Sequence, residues 1–282
     1  MKRGFVINIA LGLIVAGLAA WMILKPGEQA APTRSLSQKK PADAQRIAIE
    51  RKGLPGFVLE KDKADRWVQS APFPARTDAS KAPRLLDLLG AQARTTYAAT
   101  DLGRFELDQP FARMTIDDQV FAFGSVNAIT NEQYVLTGDT VYLVPPVHGF
   151  ALPTEVDSLA SHLLLADDEV PVAFVLPGAT IELRDGKWVR TPPPADPSKL
   201  SQDDFVRWAE QWRYASSLAT RVPQTKPAGE TVRITLQNGR TIEIRILSRS
   251  PELRLLRTDE NLEYVFAADT GARLLSPGPE AK

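Results

Sequence analysis

The chain beyond residue 44 is written twice. A repeat restricts a fold more than any single motif, because one packing solution must serve both copies. The first copy carries Arg46-Ile47-Ala48-Ile49, Phe57-Val58-Leu59-Glu60 and Trp67-Val68-Gln69-Ser70-Ala71-Pro72. The second carries Ala173-Phe174-Val175-Leu176, Ile181-Glu182-Leu183 and Trp188-Val189-Arg190-Thr191-Pro192-Pro193. Short apolar runs between turns predict extended segments. A helix follows in each copy. Ala82, Leu85, Leu86, Leu89 and Ala93 recur at helical spacing behind Asp78 or Ser80 as caps, while Phe205, Trp208, Trp212 and Ala215 line one face behind Ser201 and Asp204, a pair resembling a capping box. Four more β segments close each copy. Met114, Ile116, Val120 and Phe123 flank Asp117-Asp118; Val232, Ile234, Leu236, Ile242 and Ile244 flank Asn238-Gly239, a type I′ turn signal. Gln133 to Val135 with Val141 to Leu143 is echoed by Leu253 to Leu256 and Tyr264 to Phe266. The expected fold class is α+β: two tandem repeated units, each an antiparallel sheet with one packed helix, over residues 45–168 and 169–276. A short helix from Thr154 to about Leu164 is expected to join them, and residues 277–282 form a tail.

Ahead of the repeat, Gly4 through Leu24 is free of charge, follows Met1-Lys2-Arg3 and precedes Lys25-Pro26. As a helix it would span roughly 30 Å, the thickness of a bilayer's hydrocarbon core. Residues 4–24 are therefore expected to form an N-terminal transmembrane helix, with residues 1–3 as a cytoplasmic stub. Lys2 and Arg3 hold that end inside, Trp21 sits at the interface, and the body lies on the periplasmic side of a bacterial inner membrane. The competing reading is a cleaved signal peptide ending at Gly17-Leu18-Ala19. Against it, the apolar run continues past Ala19, and cleavage would leave Ala20-Trp21-Met22-Ile23-Leu24 as a greasy end. A buried helix would be amphipathic, whereas this segment is apolar all round. Residues 25–44, rich in Pro, Gln, Ala, Ser and Lys, read as a flexible linker. Arg34, Lys39 and Lys40 there would be solvated or touch anionic headgroups.

Lysine plus arginine equals aspartate plus glutamate at 34 each, so no net field draws the chain to nucleic acid. The absence of cysteine excludes disulfides, thiolate nucleophiles, cysteine metal sites and lipidation on a cysteine.

Within the first unit, Asp101-Leu102, Phe105-Glu106-Leu107-Asp108-Gln109-Pro110, Phe123-Gly124, Asn127, Thr130, Gln133-Tyr134-Val135 and Val141-Tyr142-Leu143 form a set that resembles the bacterial domain of unknown function 4340 family. The resemblance covers roughly Arg46 to Leu165, with the opening strand, Trp67 and Pro72 also fitting and the second unit looking like a more diverged copy. Glu106 stands where many members of that family carry glycine. The resemblance implies a membrane-anchored envelope protein, in a family whose longer members accompany ABC-type transport systems. It implies no catalytic residues and no cofactor.

The candidate chemistry is sparse. His148 lies in the turn-rich Pro145-Pro146-Val147-His148-Gly149-Phe150, as a pH-sensitive hinge or ligand or as a plain loop residue. His162 and Ser158, four apart on the expected joining helix, would be in reach of each other but lack a nucleophile motif and an oxyanion-hole glycine run. The acidic groups Asp117-Asp118, Asp167-Asp168-Glu169 and Asp203-Asp204 fall at a hairpin turn, a loop and a helix start, where acids serve local roles. Trp208 and Trp212 read as a core stripe or as a stacking platform for a sugar. Arg233, Arg245, Arg249, Arg254 and Arg257 make the second unit's last strands a docking face for an acidic partner, or a solvated face balanced by Glu243, Glu252, Asp259 and Glu260. No glycine-rich phosphate loop, dinucleotide fingerprint or zinc-ligand spacing occurs.

The expected function is a membrane-tethered periplasmic scaffold or accessory subunit of an envelope or ABC-type transport assembly. It is expected to be non-enzymatic, with no metal or cofactor and with an envelope or transporter protein as partner. The interaction residues expected are Trp208, Trp212, Arg245, Arg254 and His148. A glycan- or lipid-binding module with its cleft between the two units is the alternative.

Overall fold

A computed structural model describes residues 11–21, 32–194, 196, 200–224 and 229–276. Residues 11–21 form helix α1. The first unit then contains β1 (Arg34–Ser35), β2 (Arg46–Arg51), β3 (Phe57–Lys61), β4 (Trp67–Ala71), β5 (Ala75–Arg76), α2 (Lys81–Leu86), β6 (Gln92–Ala93), β7 (Thr96–Ala98), β8 (Ala112–Ile116), β9 (Gln119–Val126), β10 (Gln133–Thr137), β11 (Thr140–Val144) and α3 (Val147–Phe150). The second contains β12 (Pro171–Leu176), β13 (Ala179–Arg184), β14 (Lys187–Thr191), α4 (Gln202–Arg213), β15 (Ala219–Arg221), β16 (Glu230–Leu236), β17 (Thr241–Ser248), β18 (Leu253–Arg257), β19 (Leu262–Phe266) and α5 (Ala268–Leu275).

The first large sheet has the order β5-β4-β3-β2-β8-β9-β10-β11-β7, and the second β14-β13-β12-β16-β17-β18-β19-β15. Apart from the extra edge strand β5, the connectivity is the same, and every pairing is antiparallel. Alternation decides which face is buried. Ile47, Ile49, Phe57, Leu59, Met114, Ile116, Phe121 and Phe123 point inward from the first sheet onto Ala82, Leu85 and Leu86 of α2. Phe174, Ile181, Val232, Ile234, Ile242 and Ile244 do the same in the second, against Phe205, Trp208 and Trp212 of α4.

Two parts of the expected fold class are corrected. The described residues are 39% strand and 21% helix, so the molecule is mostly β-sheet rather than α+β. The helix expected from Ala82 to Ala93 ends at Leu86, passes into a 3-10 turn at Asp87–Gly90, and gives up Gln92–Ala93 to pair with β1. The second correction concerns the membrane. Among the described residues no helix is long and apolar enough to cross one, and α1 would span only about 16 Å of the roughly 30 Å required. Residues 1–10 and 22–31 lie outside the described residues, and with them the stub, both ends of the expected span and the start of the linker, as does the tail 277–282.

Other boundaries also differ. Within the stretch read as a linker, Leu36, Ser37 and Ala44 are buried, and Ser37 Oγ donates to Gln119 Oε1 at 2.7 Å, so this part is packed onto the first unit. No helix joins the units at Thr154 to Leu164, which is a series of turns; a short helix forms instead at Val147–Phe150. The turns carry Leu159 into the first core and Ala160, Leu164 and Leu165 into the second.

Candidate functional site

The two sheets match in connectivity but differ on the face turned away from the core. On the first sheet the part of that face formed by β7 and β9 to β11 is apolar and covered. Ala122, Val141, Tyr97, Tyr134 and Leu136 cluster there under Leu102, Phe105 and Leu107 of the β7–β8 connection. The ring of Phe105 packs 5.3 Å from that of Tyr97 and 4.7 Å from that of Tyr134. Gly124 makes the close approach feasible, because a Cβ there would stand 2.2 Å from the Phe105 carbonyl oxygen. Glu106 completes the bend with φ 58, a left-handed conformation that glycine adopts without the penalty a side chain carries.

Strand register maps this face onto the second sheet. Val141 pairs with Tyr97 and Leu136, and Leu136 with Ala122; Glu263 pairs with Arg221 and Leu256, and Leu256 with Arg245. Arg221 thus stands at the place of Tyr97, Arg254 at that of Tyr134, Arg245 at that of Ala122, Glu263 at that of Val141 and Leu247 at that of Gly124. The β15–β16 connection, residues 222–229, carries no helical turn among the described residues. An ion-pair cluster therefore occupies the face that the first unit closes with aromatic rings.

Glu263 is the centre of that cluster. Its side chain is 2% exposed and accepts from Arg254 Nε at 2.6 Å, Arg254 Nη2 at 2.8 Å and Arg221 Nε at 3.0 Å. Burial works to raise its pKa, but the hydrogen bonds from Arg254 and Arg221 outweigh burial and hold the carboxyl below the ordinary glutamate range. The hydrogen bond from Arg254 to Glu263 likewise raises the arginine's own pKa. Arg245 pairs with Glu243 at 3.4 Å, and Arg233, which is exposed on the neighbouring strand, makes no ion pair among the described residues. Arg221, Arg245 and Arg254 remain 50%, 38% and 38% exposed over buried Leu256 and Val265, and with Arg233 they face Glu243, Glu263 and Glu252, the last acting on Arg254.

Arg245 and Arg254, two of the residues expected from sequence, therefore share this face. The others lie elsewhere. Trp208 and Trp212 are 3% and 0% exposed, and both indole Nε1–H groups donate to the Leu274 carbonyl, at 3.0 and 2.8 Å, so neither offers a face to a sugar. His148 sits in α3, where partial burial lowers its pKa against the opposing charge of Asp87. The acids resolve into local contacts. Asp117 accepts from the backbone of Gln45 and Arg46, Asp118 pairs with Lys39, and Asp204 forms the capping box with Ser201. Ser158 caps Thr154 and Glu155, while His162 turns to the Ser217 carbonyl at 3.1 Å and Asp157 at 3.7 Å.

Two features of the junction between the units have no local signal in the sequence. Arg257, 2% exposed, donates two 2.6 Å hydrogen bonds to buried Glu169, which Arg240 also contacts. Arg76 of β5 reaches Glu260 at 2.6 Å, Tyr264 Oη at 3.0 Å and the Leu163 carbonyl at 2.5 Å, tying the first unit's edge to the second sheet. Beside it lies a cleft of about 850 Å³. Its walls include Arg66, Trp67, Thr77 and Asp78 from the first unit, His162 and Asp167 from the joining segment, and Ser216.

Comparison with protein-family models, with curated proteins and with solved structures returned no match to the chain.

Proposed function

We propose that the chain is a non-catalytic scaffold or accessory subunit that docks a protein partner on the outer face of its second sheet. One observation carries this reading. Where the first unit packs Tyr97, Tyr134 and Ala122 under its own β7–β8 connection, the second carries Arg221, Arg254 and Arg245, which stay 50%, 38% and 38% exposed, with exposed Arg233 on the neighbouring strand and Glu243, Glu252 and Glu263 opposing these four charges. Exposed arginines steer and select a partner with complementary acidic groups. The family resemblance sets such a scaffold in an envelope or ABC-type transport assembly. The helix expected to tether it forms no part of this proposal.

A photo-crosslinking amino acid placed at Val175 or Thr235, both on that face, tests the reading in the native cell. The same protein adduct is expected from both positions and not from Lys63, in an exposed turn of the first unit. Adducts from neither position, with the chain folded and abundant, would overturn it.

The junction cleft supports a second reading, a small polar ligand held between the units. Thr77 Oγ1 in its wall is shielded from water and has no hydrogen-bond partner among the described residues. The aromatic group that such a ligand would meet is Trp67, not Trp208 or Trp212. Trp67→Ala should abolish that binding, and binding that survives it excludes the cleft.

A further inference from the structure

We infer that the cleft between the units holds a small organic cation, its ammonium or guanidinium group set against Asp167 and Asp168 and its body against Trp67. This inference rests on the ligand-binding reading of the junction and names the class of ligand. The charges along the wall carry it, because those of one sign are engaged and those of the other are not. Arg66 is held by Asp62, through Nε at 3.1 Å and Nη2 at 3.0 Å, and Arg76 by Glu260 and Tyr264. His162 turns its two ring nitrogens to the Ser217 carbonyl and Asp157. Among the acids, Asp65 is tied to Lys61 Nζ at 2.9 Å. Asp167 and Asp168 are exposed on the wall, and their carboxylates accept no hydrogen bond and form no ion pair among the described residues. Asp78 adds a third carboxylate. Burial works to raise its pKa, but the hydrogen bonds from Ser80 outweigh burial and hold it below the ordinary aspartate range, and they engage Oδ1 alone.

The uncharged part of the wall fits the same ligand. The indole of Trp67 already carries one cation, Lys61 Nζ, 5.7 Å from its ring centre, and an aromatic ring attracts cations through its negative face. Thr77 Oγ1, shielded from water and without a partner among the described residues, accepts from a ligand N–H. The volume of about 850 Å³ falls within the roughly 300–1,000 Å³ typical of small-molecule sites. A bare divalent ion fits less well. It takes converging oxygen ligands, and among the described residues no group of three or more acidic or histidine side chains is placed to hold one. The floor of the cleft is preformed by backbone hydrogen bonds. Ser161 N donates to the Arg76 carbonyl at 2.6 Å on one side, and Ser217 N donates to the His162 carbonyl at 2.8 Å on the other. The joining segment thereby ties the edge of the first sheet to the segment leading into β15, and a ligand resting on it touches both units at once.

Isothermal titration calorimetry of the full chain with spermidine, L-arginine amide and choline tests this, with glucose as an uncharged probe and glutarate as an anionic one. Binding of at least one cation and of neither control is expected, and it should weaken as salt is raised. The joint variant Asp167→Asn with Asp168→Asn should weaken it about tenfold. Both positions are exposed, so an unchanged melting temperature without ligand would show that this variant folds. Binding of any probe that is lost in Trp67→Ala but kept in the joint variant would overturn the cationic chemistry and leave the cleft reading standing. Cation binding that survives Trp67→Ala would lie outside the cleft and overturn both. No heat from any of the three cations up to about 10 mM would overturn the inference. Tetralysine bound through Asp167 and Asp168 more tightly than every free amine would overturn a small ligand in favour of a basic side chain of a partner protein.

Discussion

Glu169 and Arg257 pair with both side chains almost wholly buried, at 6% and 2% exposed. Removing both charges from water costs several kcal/mol each, and it is offset only by close pairing with the remaining polar atoms satisfied. The structure meets that condition: two 2.6 Å hydrogen bonds join them, Glu169 also accepts from the Ala166 backbone at 2.8 Å, and Arg257 donates to the Leu164 carbonyl at 2.8 Å. Glu169→Gln removes the most buried of Arg257's counter-charges, leaving Asp259 at 2.9 Å and Glu260 at 3.3 Å, and should lower the urea-unfolding free energy by about 2 kcal/mol. The apolar double variant Glu169→Leu with Arg257→Met should lie closer to the native value; equal losses in both would show that the charge is not what matters. Glu263 governs a different observable. Its pKa is lowered in the folded state, so its contribution is fully present above the ordinary glutamate pKa of about 4.3 and is lost as pH falls through the lowered folded value. Glu263→Gln should flatten the decline in stability below about pH 4.3 that the native chain shows in acid titration of its melting temperature. In the sequence Glu169 reads as part of an acidic loop, because its partner lies on a distant strand and the pairing leaves no local trace.

Helix α4 shows what local signals achieve and where they stop. Its start is legible in Ser201 and Asp204, which form the reciprocal capping box, and its buried stripe in Phe205, Trp208 and Trp212. What closes over that stripe was not legible. Helix α5 supplies the Leu274 carbonyl to both indoles and lies against β18 because Gly271 has no side chain; a Cβ there would stand 2.5 Å from Leu253 Cβ. Gly271→Ala should therefore cost about 1–3 kcal/mol by overpacking and shift tryptophan emission to the red as α5 lifts away. An unshifted spectrum with native stability would mean that α5 is not held by this contact. Helix α2 illustrates the opposite error. Helical spacing continues to Ala93, yet Gln92 and Ala93 become a strand, since Arg34 and Ser35 offer them backbone partners that no window of neighbouring residues contains.

At the scale of the whole molecule, the two sheets are joined by more than a linker. Phe73, from the first unit, belongs to the second core, and Arg76 beside it bonds to Glu260, Tyr264 and the Leu163 carbonyl. Burial keeps the Tyr264 hydroxyl protonated well beyond the usual tyrosine range, so it can donate to Glu260 at 2.6 Å while accepting from Arg76. Arg76→Ala should uncouple the units, turning a single calorimetric transition of the full chain into two; an unchanged single transition would show that the apolar contacts suffice. By itself the sequence determined seven strands of each large sheet and the turns between them, but not the edge strands β5, β7 and β15, nor the pair β1 and β6, and it set Val120 with the core although that side chain is 46% exposed. Period-two alternation and turn chemistry act between near neighbours and survive whatever the rest of the chain does. Only the tertiary structure decided that no described helix reaches across a membrane, that Trp208 and Trp212 are sealed by α5, and that Arg221, Arg233, Arg245 and Arg254 share one accessible face. The last two depend on contacts between segments distant in sequence, which no single element encodes.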